Sequence, residues 1–128
     1  MPRTAFLLPA MFATVLNGCT GLLDFHEFQE DEFTATWVDE GVVLRNRTGG
    51  MVFYFAVGRH MAARINWAPC VDRDNCPHLL SGTSDTVSSH RISFENPESE
   101  PVLVYWWHAV PGSNGLRPGS IRTAIANR

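Results

Sequence analysis

Val102-Leu103-Val104-Tyr105-Trp106-Trp107 opens the strongest strand signal in this chain, a run from Val102 to Val110 that is apolar on both of its alternating faces. Successive side chains of a strand point to opposite sides of the sheet. A run of this kind must therefore be covered on both faces, which excludes a lone sheet with one side in water. Met51 to Val57 repeats the pattern: Phe53, Phe55 and Val57 share one face, and Val52, Tyr54 and Ala56 share the other. Both runs read as central strands.

The remaining periodic stretches are half-buried. Phe33, Ala35 and Trp37 alternate with Thr34, Thr36 and Val38 until Asp39-Glu40-Gly41 stops the strand. Val42 and Leu44 then face inward, with Arg45 and Arg47 in water, before a Thr48-Gly49-Gly50 turn. After Gly58 to Met61 break the pattern, Ala63 to Ala68 predicts a short strand with Ile65 and Trp67 on one face. Thr86 to Phe94 reads as a polar strand contacting the core through Val87, Ile92 and Phe94. A one-residue slip of phase within it predicts a bulge. The Glu- and Pro-rich stretch Asn96 to Pro101 is a solvated loop, Pro111 to Gly115 another, and Ser120 to Ala126 a last strand with Ile121 and Ile125 as its apolar residues. No helix of three turns competes. About seven short strands divided by Gly and Pro turns predict an all-β, single antiparallel β-sandwich over residues 33–128, with a small closed barrel as the alternative. Leu44 to Thr48, ahead of a turn and an aromatic strand, resembles the early strands of immunoglobulin-like sandwiches in bacterial envelope proteins, which implies that variety of sandwich.

The amino-terminal residues have a separate logic. Arg3 precedes an apolar run from Ala5 to Leu16, and Asn17-Gly18 follow as compact residues ahead of Cys19. That is the layout of an export signal. About a dozen apolar residues are too few for a membrane helix, which needs about 20, and Pro9 interrupts them. Leu16-Asn17-Gly18-Cys19 resembles the lipobox of bacterial lipoproteins. The resemblance implies cleavage between Gly18 and Cys19 and lipidation of Cys19, so that residues 1–18 are a signal peptide and Cys19 is the membrane anchor. Two acyl chains make stable what one leaves marginal. Residues 19–32 carry Asp24, Glu27, Glu30, Asp31 and Glu32 and read as an acidic tether. Thr20, in place of the Asp that retains many lipoproteins at the inner membrane, favours the outer membrane of the cell envelope.

Lipidation of Cys19 also resolves the odd cysteine count. Cys70 and Cys76 remain to form a disulfide across a polar loop bracketed by Pro69 and Pro77, as an oxidising compartment permits. The Asn-Trp-Ala-Pro-Cys stretch ending at Cys70, the Cys76-Pro77 pair and the Tyr-Trp-Trp-His run ending at His108 resemble a group of small bacterial lipoproteins without an assigned activity. That resemblance spans most of residues 42–125 and implies fold and location.

Three constellations bear on chemistry. Alternation puts Tyr105 and Trp107 on one face and Trp106 and His108 on the other, so an exposed pair beside Trp67 would make an aromatic binding platform. Burial of both pairs in a two-sided strand is the favoured alternative. His60, Met61, His78, His90 and His108 are metal-ligand types at spacings that match no metal motif, so neither a metal nor another cofactor is expected. There is no Gly-x-Ser-x-Gly, His-Glu-x-x-His or Gly-rich phosphate loop, and an enzyme is not expected. Thirteen acidic residues against ten basic ones give no basic surface for nucleic acid. The resulting expectation is a lipid-anchored, non-catalytic interaction or accessory module whose partners are the membrane and an envelope protein. A small ligand- or metal-binding sandwich is the alternative.

Overall fold

The structure is a computed structural model that describes residues 32–128. The expected signal segment with Gly18, the expected lipidation site at Cys19 and the expected tether as far as residue 31 lie outside the described residues.

The described residues form an all-β fold of antiparallel sheets. Its strands are β1 (Phe33–Val38), β2 (Gly41–Asn46), β3 (Val52–Gly58), β4 (His78–Leu79), β5 (Ser84–Ser88), β6 (Val102–Trp107), β7 (Ala109–Gly112), β8 (Gly115–Pro118) and β9 (Arg122–Ala126). One sheet has the order β1-β2-β5, the second β4-β3-β6-β9, and β7 and β8 make a separate hairpin. The chain changes sheet between β2 and β3, between β4 and β5 and again between β5 and β6. Strands adjacent in sequence therefore often lie in different layers. The two runs expected to be central are so placed: β3 lies between β4 and β6, and β6 between β3 and β9.

The core between the layers arises from side-chain alternation. Val42 and Leu44 from β2 meet Val52 from β3 and Val102 and Val104 from β6, all fully buried. Phe33 stacks on Trp106 at 5.1 Å between ring centroids, joining the first strand to the sixth. Burying a side chain of this size contributes about 1.5–3 kcal/mol, with stacking adding about 1 kcal/mol. On the second sheet the odd-numbered residues of β3 and β6 face outward, and the irregular segment after residue 63 lies over them.

Several strand expectations are corrected. Ala63 to Ala68 is not a strand: Met61–Ala63 is a 3-10 turn, and the residues after it are irregular because Trp67 packs on a sheet face rather than pairing at an edge. The polar strand begins at Ser84 and ends at Ser88, whose hydroxyl accepts the His90 N–H and starts a 3-10 turn over Ser89–Arg91. That turn, not a bulge, absorbs the slip of phase before Ile92. The run from Val102 to Val110 breaks at His108, and Ala109 onward leaves to form the β7-β8 hairpin, with Gly115 at φ 112° where the chain reverses. Ile121 and Ile125 are exposed, and β9 contacts the core through Ala124 and Ala126.

The Glu95 to Glu100 loop holds the largest departure. Glu100 is 1% exposed, and its carboxylate accepts the backbone N–H groups of His60, Met61 (2.9 Å), Glu95 (2.7 Å) and Asn96 (2.8 Å). Burial alone would push the acid up, but these four hydrogen bonds outweigh it and hold Glu100 below the usual carboxylate range. The side chain thereby ties the end of β3 to the loop before β6. Arg128 fastens the same corner by donating from Nε to the Glu100 carbonyl at 3.1 Å and stacking over Trp37 at 4.1 Å.

Candidate functional site

Cys70 and Cys76 are joined by a disulfide, their Cα atoms 6.3 Å apart. Asp72 shapes the loop between them: its carbonyl accepts the Asn75 and Cys76 N–H groups, and its carboxylate accepts the Asp74 N–H. The loop stands against the outer face of the four-stranded sheet, where the Trp107 indole donates to the Cys70 carbonyl at 2.8 Å.

The aromatic run divides between the two faces of β6. Trp106 enters the core, where it is 5% exposed, and the Arg122 guanidinium lies 5.6 Å from its ring. Trp107 is 2% exposed on the opposite face. Trp67 covers that face, 4.7 Å from Tyr105, 5.0 Å from Phe55 and 5.7 Å from Trp107 between centroids. Trp67, Tyr105 and Trp107 are thus brought together, while Trp106 and His108 are not part of their cluster. The strand is buried on both sides, and the remaining aromatic surface is a hollow of about 160 Å³ bounded by Phe55, Trp67, Trp107 and the disulfide.

His108 belongs to a polar knot. Its Nε2 lies 3.1 Å from the Thr48 hydroxyl, which also meets the Asn46 Oδ1 at 2.7 Å and the Gly50 carbonyl at 2.9 Å. Asn46 is fully buried; its amide donates to the carbonyls of Gly50 and Leu79, both at 2.9 Å. This knot joins β2, the turn after it, β4 and the end of β6. Among the described residues no three of His, Cys, Asp and Glu converge where they could hold a metal ion.

A larger cleft opens on the other side of the disulfide loop, at the edge of the sandwich between β3 and β5. It encloses about 580 Å³ and is lined by residues 54–56 of β3, 73–78 of the loop, 85–87 of β5 and Arg91. Its walls carry charges of both signs, Arg73 and Arg91 against Asp74 and Asp85, beside Asn75 and the Tyr54 hydroxyl. Burial chiefly, and the Asp85 carboxylate secondarily, push the Tyr54 hydroxyl up, with Arg91 opposing them. The phenol therefore stays protonated and available as a hydrogen-bond donor.

The backbone at this edge is incompletely paired. Tyr54 donates its N–H to the Pro77 carbonyl at 3.3 Å, but Pro77 has no N–H to return, and β4 ends there. Backbone groups of an antiparallel strand point alternately to its two neighbours. Ala56, two residues past Tyr54, therefore directs its N–H and C=O into the cleft, and neither has a hydrogen-bond partner among the described residues. Gly58 then bonds to the Ser93 carbonyl at 2.8 Å. On the facing strand, Asn46 donates to the Thr83 carbonyl and Ser89 to that of Glu40, which fixes the register and turns the backbone of Ser84, Thr86 and Ser88 outward. The Thr86 N–H is taken by the neighbouring Asp85 carboxylate at 2.8 Å.

Sequence reasoning missed this cleft. A two-residue strand ended by Pro77 and a polar edge strand from Ser84 were its only local signals. Tyr54, Asp85 and Arg91 are brought together from elements far apart in the chain. Comparison with protein-family models, with curated proteins and with solved structures returned no match.

Proposed function

We propose that the chain is a lipid-anchored, non-catalytic interaction module of the bacterial cell envelope, held in the membrane through Cys19 and recognising an envelope partner through the cleft between β3 and β5. The observation that carries the recognition surface is the cleft itself, which combines charges of both signs with backbone at Ala56 that is unpaired among the described residues. Hydrogen-bond donors and acceptors of this kind fix the orientation of a partner. The anchor is supported by the apolar run ending in Leu16-Asn17-Gly18-Cys19, and outer-membrane residence by Thr20. The strand orders β1-β2-β5 and β4-β3-β6-β9, with connections crossing between the layers, support an immunoglobulin-like sandwich.

Two experiments test the reading. Cys19→Ala is expected to lose lipid labelling and to leave the membrane fraction; a variant still labelled and retained refutes the anchor. A photo-crosslinking side chain at Arg91 is expected to yield discrete adducts in intact cells, whereas one at the exposed Leu116 is not. Equal adducts from both positions refute the cleft as the recognition surface. The apolar hollow beside Trp67 favours a second reading, a pocket for a small ligand such as a sugar or an apolar side chain.

A further inference from the structure

An extended segment beside an edge strand hydrogen-bonds to the backbone groups turned toward it. In this domain the edges of the two layers face a common cleft between β3 and β5. On its β3 side Ala56 turns toward the cleft an N–H and a C=O that have no partner among the described residues, past the point where Pro77 ends the β4 ladder. Its β5 side is an edge of the three-stranded sheet among the described residues, with Ser84, Thr86 and Ser88 turned outward. Both edges line the same cleft.

We infer that the cleft receives an extended segment of a partner polypeptide, which adds as a strand to β5 and takes the Ala56 backbone, unpaired among the described residues, as its contact with β3. The complement of an unpaired N–H and C=O on one residue of an extended chain is the same pair on another extended chain. That identifies a peptide backbone, rather than a sugar or a phosphate, as the occupant. Main-chain hydrogen bonds supply affinity in strand addition, and alternate side chains supply specificity. Alternate side chains of the segment would face Tyr54 and Val87 inside the cleft, which calls for small or apolar residues there, while polar neighbours meet Arg91 and Arg73. Asp85 guards the edge meanwhile: its carboxylate occupies the Thr86 N–H, as charged groups on edge strands commonly block unwanted pairing.

This inference rests on the cleft being the recognition surface. It is tested with the full chain purified in detergent and a phage-displayed library of random peptides of about 12 residues. A selected peptide is expected to slow amide exchange at Ala56 and at outward residues of β5. N-methylation of the peptide backbone at alternate residues facing β5, and at the one intervening residue that faces Ala56, is expected to weaken binding about tenfold, while methylation at the other intervening residues leaves it within about twofold. That pattern reads backbone pairing directly and does not depend on any variant of the protein folding. Four results overturn the inference: no peptide selected, methylation costs that depart from this pattern, exchange protection confined to the Trp67 face, or a dimer of the chain paired through this edge without peptide. Failure of strand addition alone leaves the Arg91 crosslinks in cells intact. Failure of the recognition surface removes them whatever the peptide does.

Discussion

A β-carbon on Gly58 would lie 2.7 Å from the Glu100 Oε2 and 2.8 Å from the Phe94 ring. The close approach of backbone and carboxylate at this corner leaves no room for a side chain, and Phe94 cannot swing away because Trp37 stacks on it at 6.2 Å. Gly58→Ala is therefore expected to destabilise the fold by about 1–3 kcal/mol, read as a lower denaturant midpoint with an unchanged slope.

Glu100 makes stability depend on pH. Its folded value is depressed, so its contribution is present above the ordinary glutamate range and is lost as pH falls through the folded value. Wild-type protein is expected to lose stability steadily as the solution is acidified below that range. Glu100→Gln should be less stable by about 3 kcal/mol at neutral pH, because an amide oxygen cannot satisfy four N–H donors. It should also show a flatter acid limb. Urea titrations across pH check both; parallel limbs would remove Glu100 from this role.

The polar knot predicts a histidine tautomer. The Thr48 hydroxyl has one proton, and its contacts with the Asn46 Oδ1 and the Gly50 carbonyl both require it as donor. His108 must then donate from Nε2. Nitrogen-15 chemical shifts should show a protonated Nε2. Asn46→Ala, which strands the Leu79 carbonyl, should lower stability by about 2–4 kcal/mol, while the Gly50 carbonyl still takes the Thr48 proton and keeps Nε2 protonated.

The disulfide closes a short loop, a sequence separation of 6, and its loss through a Cys70→Ser, Cys76→Ser double variant is expected to cost only about 2 kcal/mol. The local effect should be larger than the global one. Cys70 supplies the carbonyl that Trp107 binds, and the loop walls both the hollow and the cleft. Tryptophan fluorescence should change at denaturant concentrations well below the unfolding transition, and a coincident change would show the loop to be rigid without its bond.

Much of this architecture is legible along the chain because strand formation is written in a period of two. The alternation of Phe33, Ala35 and Trp37, and the two-sided apolar runs around Tyr54 and Val104, determine strands, their facing and the need for two layers. The Cys70–Cys76 pair follows from counting and from a loop able to turn. Tertiary structure decides where those strands meet others. Nothing near Glu100 in sequence distinguishes it from its solvated neighbour Glu98; the N–H groups of His60 and Met61, forty residues away, make it a buried anchor. His108, where β6 breaks, finds its side-chain partner in Thr48, sixty residues earlier. Ala56, without a backbone partner among the described residues, lies just past the point where Pro77 pairs with Tyr54 in one direction only. Alternation is local and survives in the sequence, whereas edges, clefts and buried charges are properties of pairs of segments, and their partners appear only when the chain has folded.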